Sequence, residues 1–208
     1  MKLQIAIDTA TCGNIMDIVD QVADVVDIVE IGTPMVINEG QYAVRMVKEK
    51  YPHLTVLSDT KIADGGEIEC QYAVNAGADI VTVLAVSDDA TIRAVADTAH
   101  KAGRKAMADL ISVMDIQKRA KELQILGVDY IAVHTGVDAQ AQGRTPYRDL
   151  NELVKAVPSQ LCAVAGGVKL STVESYAALR PEIIISGSAL TSAKDIRQAV
   201  IDMKAKML

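Results

Sequence analysis

A chain of 208 residues, half of them hydrophobic and with neither Phe nor Trp, can build one sizeable core, which Val, Ile, Leu, Ala and Met must fill. A net charge of −6 without a basic stripe argues against a nucleic-acid surface. Three scattered cysteines with no CxxC pair indicate neither a disulfide framework nor a thiolate zinc site, and no apolar stretch approaches the length of a membrane span.

The chain opens directly on an apolar run, residues 3–7, without the apolar segment of a signal peptide, and this run stops at Asp8. A reduced, cytosolic setting is the expectation. Further runs follow at 25–29 before Glu30, 54–57 before Ser58 and Asp59, and 80–84 leading to Ser87. The remaining four lie at 105–108 before Asp109, 130–133 before His134, 161–165 before Gly166 and Gly167, and 183–185 before Ser186, Gly187 and Ser188. Helical spacing between them is visible at 40–51, through Tyr42, Val44, Met46 and Val47, and at 115–126, through Ile116, Ala120, Leu123 and Leu126. Gly77, Gly103 and Gly127 stand where helix C-caps belong, and all five prolines avoid strand centres. Eight short β-branched runs alternating with helices predict a single-domain α/β fold, a (β/α)8 TIM barrel over residues 1–208. An open doubly wound sheet is the main alternative, but it would not usually spread polar residues over every strand end.

In such a barrel the strand ends share one mouth, which gathers Asp8, Glu30, Asp59, Lys61, Asp109 and His134. Strand alternation predicts that Asp59 and Lys61 point the same way. Glu30 and Asp59 offer hard oxygen ligands with room for water or substrate, which suits Mg2+ better than zinc. Glu30 has a second reading, as a carboxylate capping the backbone at Gly32 and Thr33. Lys61, expected between Asp59 and Asp8, should stay charged and act electrostatically rather than as a Schiff-base amine. His134 is the only histidine at a strand end and suits proton transfer, whereas His53 and His100 read as solvated or capping residues. Gly166, Gly167, Gly187 and Ser188 end the seventh and eighth strands, where barrels commonly bind phosphate through backbone N–H groups. Metal, ammonium and phosphate cradle together point to a phosphorylated sugar and an enediolate.

The motif Asp59-x-Lys61-x-x-Asp64, taken with Asp8, Glu30, His134 and the two glycine loops, resembles the orotidine 5′-monophosphate decarboxylase superfamily. Within it the similarity is greatest to the 3-hexulose-6-phosphate synthase family, through residues 1–8, 27–34, 78–84 and 164–168. The resemblance implies a Mg2+-dependent aldol condensation of formaldehyde with D-ribulose 5-phosphate, giving D-arabino-hex-3-ulose 6-phosphate, and the reverse cleavage. It also implies a homodimer in which Asp64 reaches the partner's site, and leaves either His134 or Asp109 as the proton carrier. The sister 3-keto-L-gulonate 6-phosphate decarboxylases share the metal, the lysine and the enediolate. They typically carry His-Arg-Ser-Arg after the sixth strand, where this chain reads His134-Thr135-Gly136-Val137, a Glu in place of Asp109, and Gly-Arg in place of Gly187-Ser188. Orotidine monophosphate decarboxylases place a lysine where this chain has Glu30. A non-catalytic sugar-phosphate-binding barrel is the reading from another class.

Overall fold

Eight parallel strands close into a barrel in sequence order, each hydrogen-bonded to the next and β8 to β1. The structure, a computed structural model, describes all 208 residues. The strands are β1 (Lys2–Ile7), β2 (Ile28–Ile31), β3 (Thr55–Ile62), β4 (Ile80–Leu84), β5 (Lys105–Asp109), β6 (Tyr130–His134), β7 (Cys162–Ala165) and β8 (Ile183–Ser186). The helices are α1 (Ile15–Val22), α2 (Thr33–Glu39), α3 (Tyr42–Lys50), α4 (Gly66–Asn75), α5 (Asp89–Lys101) and α6 (Ile116–Leu126). They continue with α7 (Val137–Ala141), α8 (Tyr147–Ala156), α9 (Val173–Ala177), α10 (Ser188–Thr191) and α11 (Ile196–Lys206).

Period-two alternation divides each strand between two cores. One alternate set, including Ala6, Ile28, Leu57, Ile80, Met107, Tyr130, Ala163 and Ile183, packs together inside the barrel. The other set, including Ile5, Val29, Val56, Val81, Val133 and Val164, packs outward against the helices. Helix α6 shows how local sequence fits this frame. Asp115 caps it by accepting from the Lys118 amide at 3.0 Å, Gly127 ends it at φ 90°, and Ala120 and Leu123 are fully buried. Burying one such leucine contributes about 1.5–3 kcal/mol.

Three strand boundaries differ from expectation, each for a local reason. The run at 25–29 spends its first half finishing α1, where the amides of Val25 and Val26 both donate to the Val22 carbonyl, so β2 starts at Ile28 and includes Glu30. The expected helix at 40–51 is present as α3, and Gly40 at φ 62° separates it from α2. Strand β3 runs on through Asp59 and Lys61 to Ile62. The run at 161–165 begins as a 3-10 turn, Ser159–Leu161, before β7.

The end of the barrel opposite the polar strand ends is fastened by a recurring device. Asp27, Asp79 and Asp129 each precede an even-numbered strand, and each carboxylate accepts the backbone N–H of the preceding strand, from Leu3, Val56 and Ala106 at 2.8–2.9 Å. Their own amides donate back to the carbonyls of the same three residues, and Glu182 donates likewise to Cys162. Each aspartate also meets a basic side chain: Lys204 at Asp27, Lys48 and Arg104 at Asp79, His100 at Asp129. His100 is exposed to solvent, as expected, and its Nε2 meets Asp129 Oδ2 at 2.9 Å.

Asp79 carries the most partners of the three. Asp79→Ala should lower unfolding stability by about 1–3 kcal/mol in urea titration, because it strands the Val56 amide and the half-buried Lys48 ammonium. A loss under about 0.5 kcal/mol would mean that the clamp adds nothing to the barrel.

Candidate active site

Strand ends place the polar residues on the mouth as alternation requires, and β3 adds an irregularity that shapes the centre. Its pairing with β4 runs Leu57 with Ile80 and Ser58 with Val81, then resumes at Ile62 with Val83. Three residues, Asp59, Thr60 and Lys61, therefore stand opposite Thr82 alone, and Lys61 adopts φ 47°. Plain alternation does not explain why Asp59 and Lys61 meet. The bulge does, bending the chain so that the Lys61 ammonium lies directly on Asp59 Oδ2.

The second anion beside Lys61 is Asp109, at 3.4 Å, rather than Asp8. The expectation fails because Asp8 leans across Gly32, where a Cβ would fall 2.0 Å from its Oδ1. Burial works against the Lys61 charge, but Asp59 and Asp109 outweigh it and hold its pKa above the ordinary lysine value. The ammonium expected from the sequence is therefore retained.

Asp59 is 6% exposed and fully engaged. Oδ1 accepts from Thr82 at 2.8 Å, and Oδ2 accepts from Thr33 at 2.8 Å as well as from Lys61. Asp109, 4% exposed, accepts the Ile111 amide on Oδ1 and meets His134 Nδ1 at 2.9 Å on Oδ2. Burial would push its carboxyl up, but the contacts of His134, Lys61 and the Ile111 amide prevail and keep it below the usual carboxylate range. Asp109 is thus an acceptor that fixes the His134 ring.

Glu30 does not cap the following segment. It is buried in the barrel and accepts from Gln4 Nε2 at 2.6 Å. Burial first, and the Asp59 charge second, raise its carboxyl well above the ordinary value. Asp8 is raised for the same two reasons, with Lys61 and His134 partly offsetting them. No cluster of three or more His, Cys, Asp or Glu side chains is set to hold a metal. Glu30 and Asp59 nevertheless form the kind of pair a hard divalent cation relieves: two carboxylates near enough to disfavour each other's charge, in a buried setting.

The glycines behave as close-approach positions. A Cβ at Gly166, where φ is 108°, would fall 2.4 Å from the Thr135 carbonyl, and one at Gly167 would meet Gln140 Oε1 at 2.9 Å. Gly187 precedes the short helix α10, which begins at Ser188, and it faces Asp8 Oδ2. Asp64 stands apart. It is exposed, accepts only the Gly65 amide, and lines an open cavity of about 640 Å3 beside α4 and α5.

Gln4, Thr33 and Thr82 escaped the sequence reading. Gln4 and Thr82 sit in apolar runs, but in phase with Asp8 and with the inward residue Ile80, and a polar residue at an inward strand position was the available signal. Thr33 follows a strand end in a stretch read only for its backbone.

The sequence matches the profile of the orotidine 5′-phosphate decarboxylase / HUMPS family over residues 1–203. It is 45% identical over 204 residues to the 3-hexulose-6-phosphate synthase of Bacillus subtilis, spanning 98% of this chain and 97% of that protein. Among solved structures, the 3-hexulose-6-phosphate synthase of Salmonella typhimurium superposes with a TM-score of 0.96 at 45% identity, covering 100% of this chain and 98% of the other. The 3-keto-L-gulonate-6-phosphate decarboxylase of Vibrio cholerae superposes at 0.86 with 26% identity, covering 99% and 96%.

Because Glu30 keeps its proton in the fold at pH values where the unfolded chain has lost it, stability contributed by that proton falls as pH rises from the ordinary glutamate pKa. In the presence of chelator, Glu30→Gln should therefore melt above the wild type at about pH 8 and converge with it at about pH 4. A wild type that melts higher at both values contradicts the buried like-charge pair.

Proposed function

The chain belongs to the orotidine 5′-phosphate decarboxylase / HUMPS family, and on that premise we propose that it condenses formaldehyde with D-ribulose 5-phosphate to D-arabino-hex-3-ulose 6-phosphate and runs the reverse cleavage, as a 3-hexulose-6-phosphate synthase does. The observation that carries the reading is the Lys61 ammonium held by Asp59 and Asp109 beside His134, in a chain 45% identical to a relative of that name.

The reaction needs a proton removed from C1 of the ketose, stabilisation of the enediolate oxygen, and attack of C1 on the formaldehyde carbon. Lys61 supplies a fixed positive charge where that oxygen becomes negative, an effect worth on the order of several kcal/mol of barrier in a water-poor site. His134 moves the C1 proton through Nε2, since Nδ1 is committed to Asp109. After addition, the same nitrogen returns a proton to the new alkoxide. Asp109 orients the imidazole and stays ionised. Backbone N–H groups at Gly166, Gly167, Gly187 and Ser188 receive the phosphate, where a side chain on either of the first two would intrude on Thr135 or Gln140. Asp8, beside Gly187, faces the sugar hydroxyls. Glu30 and Asp59 would hold Mg2+, whose chemistry there is Lewis-acid stabilisation of negative oxygen.

The decarboxylase alternative is less well supported. The chain has Val137 and Ser188 where that branch carries arginines, and it is 26% rather than 45% identical to the solved decarboxylase. A cytosolic setting goes with a phosphorylated substrate and three free thiols, and no helix is long and apolar enough to cross a membrane.

The paired assay is formaldehyde with ribulose 5-phosphate against 3-keto-L-gulonate 6-phosphate, each with Mg2+ and with chelator. Hexulose phosphate formation that needs Mg2+ is the expected result. Robust CO2 release from the second substrate alone would overturn the reading.

The dimer is part of the same proposal: Asp64 is exposed and bonded only to the Gly65 amide, and the neighbouring α4 surface leaves Ile68 and Tyr72 more than half exposed. Lys61→Ala and Asp64→Ala should each be inactive alone. Mixed, unfolded and refolded together they should regain about a quarter of wild-type activity, because half the dimers are mixed and each of those has one intact site. Mixtures no more active than their parents would place Asp64 outside the partner's site.

A further inference from the structure

We propose that Thr82 is the positioning residue that sets the Lys61 ammonium against Asp59, an inference that rests on the reaction proposed above and adds a group the site does not otherwise require. Thr82 lies on the inner face of β4 and is 3% exposed. Its hydroxyl has a single proton. Oγ1 accepts the backbone N–H of Lys61 at 2.9 Å, and the proton goes to Asp59 Oδ1 at 2.8 Å. One oxygen thus ties the backbone of the lysine to the side chain of its counter-ion.

The place where it does so is the bulge. Thr82 is the single β4 residue opposite the three-residue segment from Asp59 to Lys61, and its own carbonyl accepts from Thr60 Oγ1 at 2.9 Å. All three residues of the segment therefore report to Thr82. Lys61 holds φ 47°, a conformation that L residues avoid and that persists only where the surroundings impose it. The hydrogen bond to its amide is the contact that does so most directly. With the hydroxyl removed, the Lys61 amide and Asp59 Oδ1 both lose a partner, and the turn is free to relax to negative φ. The ammonium then leaves the position where charge develops in the reaction. Thr82 itself has no part in holding the sugar, and the charge it positions matters most where negative charge develops in the transition state, so the loss falls on turnover more than on substrate binding.

The test compares full-length Thr82→Val, which keeps the shape and removes the hydroxyl, with Thr82→Ser, which keeps the hydroxyl. Turnover of formaldehyde with ribulose 5-phosphate is read beside hydrogen exchange of the Lys61 amide by NMR. Thr82→Val should lower kcat by about 10–100-fold with KM for the ketose within about threefold, and should speed Lys61 amide exchange at least about tenfold. Thr82→Ser should recover kcat to within about fivefold of the wild type and restore the protection. A folded Thr82→Val with near-normal kcat, an unchanged Lys61 amide, or a Ser variant as impaired as the Val variant would overturn the proposal. If Thr82→Val does not fold, Thr82→Ala makes the same comparison. A wild type that never turns over these substrates contradicts the reaction and not the contact, which the amide exchange then decides by itself.

Discussion

The Lys61 ammonium, with only 21% of its side chain exposed, stays charged because Asp59 and Asp109 flank it, and the other groups of the mouth are arranged around that triplet. Without those anions, burial would lower the pKa of a lysine so placed. Providing the anions creates the opposite problem, since Asp8 and Glu30 share the same space and all four carboxylates cannot be ionised beside one ammonium at no cost. The upward shifts of Asp8 and Glu30, driven first by burial and then by Asp59, express that excess of negative charge. A site poised this way favours any further positive charge brought to it, which is the physical basis for assigning Glu30 and Asp59 to a divalent cation.

Stability and chemistry are divided between the two ends of the barrel. At one end, Asp27, Asp79 and Asp129 are saturated with backbone amides and basic partners, and each fastens one strand to the next. At the other, Asp59 and Asp109 are equally well bonded, but their partners are a lysine, threonine hydroxyls and a histidine able to meet a substrate. Aspartate thus serves both ends, and only the partner distinguishes a clamp from a reactive group.

The barrel was legible because the strands are short, mostly β-branched and mostly closed by a polar residue, and Asp8, Glu30, Asp59, Lys61, Asp109 and His134 were visible for the same reason. Register was not. The sequence Ser58-Asp59-Thr60-Lys61 reads as plain alternation, whereas the fold inserts a bulge whose cause lies on the neighbouring strand at Thr82. The second partner of Lys61 is hidden similarly: β1 and β5 lie equally far from β3 in the barrel, so the strand ends do not choose between Asp8 and Asp109, and the leaning of the Asp8 side chain over Gly32 is a tertiary fact. Gln4 and Thr82 were overlooked because one polar residue inside an apolar run is easily taken as tolerated, although their alternation places them in the barrel. The aspartate repeat before β2, β4 and β6 was equally available and reads as loop chemistry until the strands are paired.

The proposed synthase reaction and its decarboxylase alternative would both pass through an enediolate, so the decisive quantity is the formation of that intermediate and its dependence on the Lys61 charge. The direct measurement is deuterium incorporation at C1 of ribulose 5-phosphate in D2O without formaldehyde, for the wild type and for Lys61→Met, which keeps the length of the side chain and removes its charge. Steady exchange by the wild type and a loss of at least about a thousandfold in the variant are expected. Tight binding of the ketose without exchange, or a Lys61→Met variant that exchanges at the wild-type rate, would contradict it.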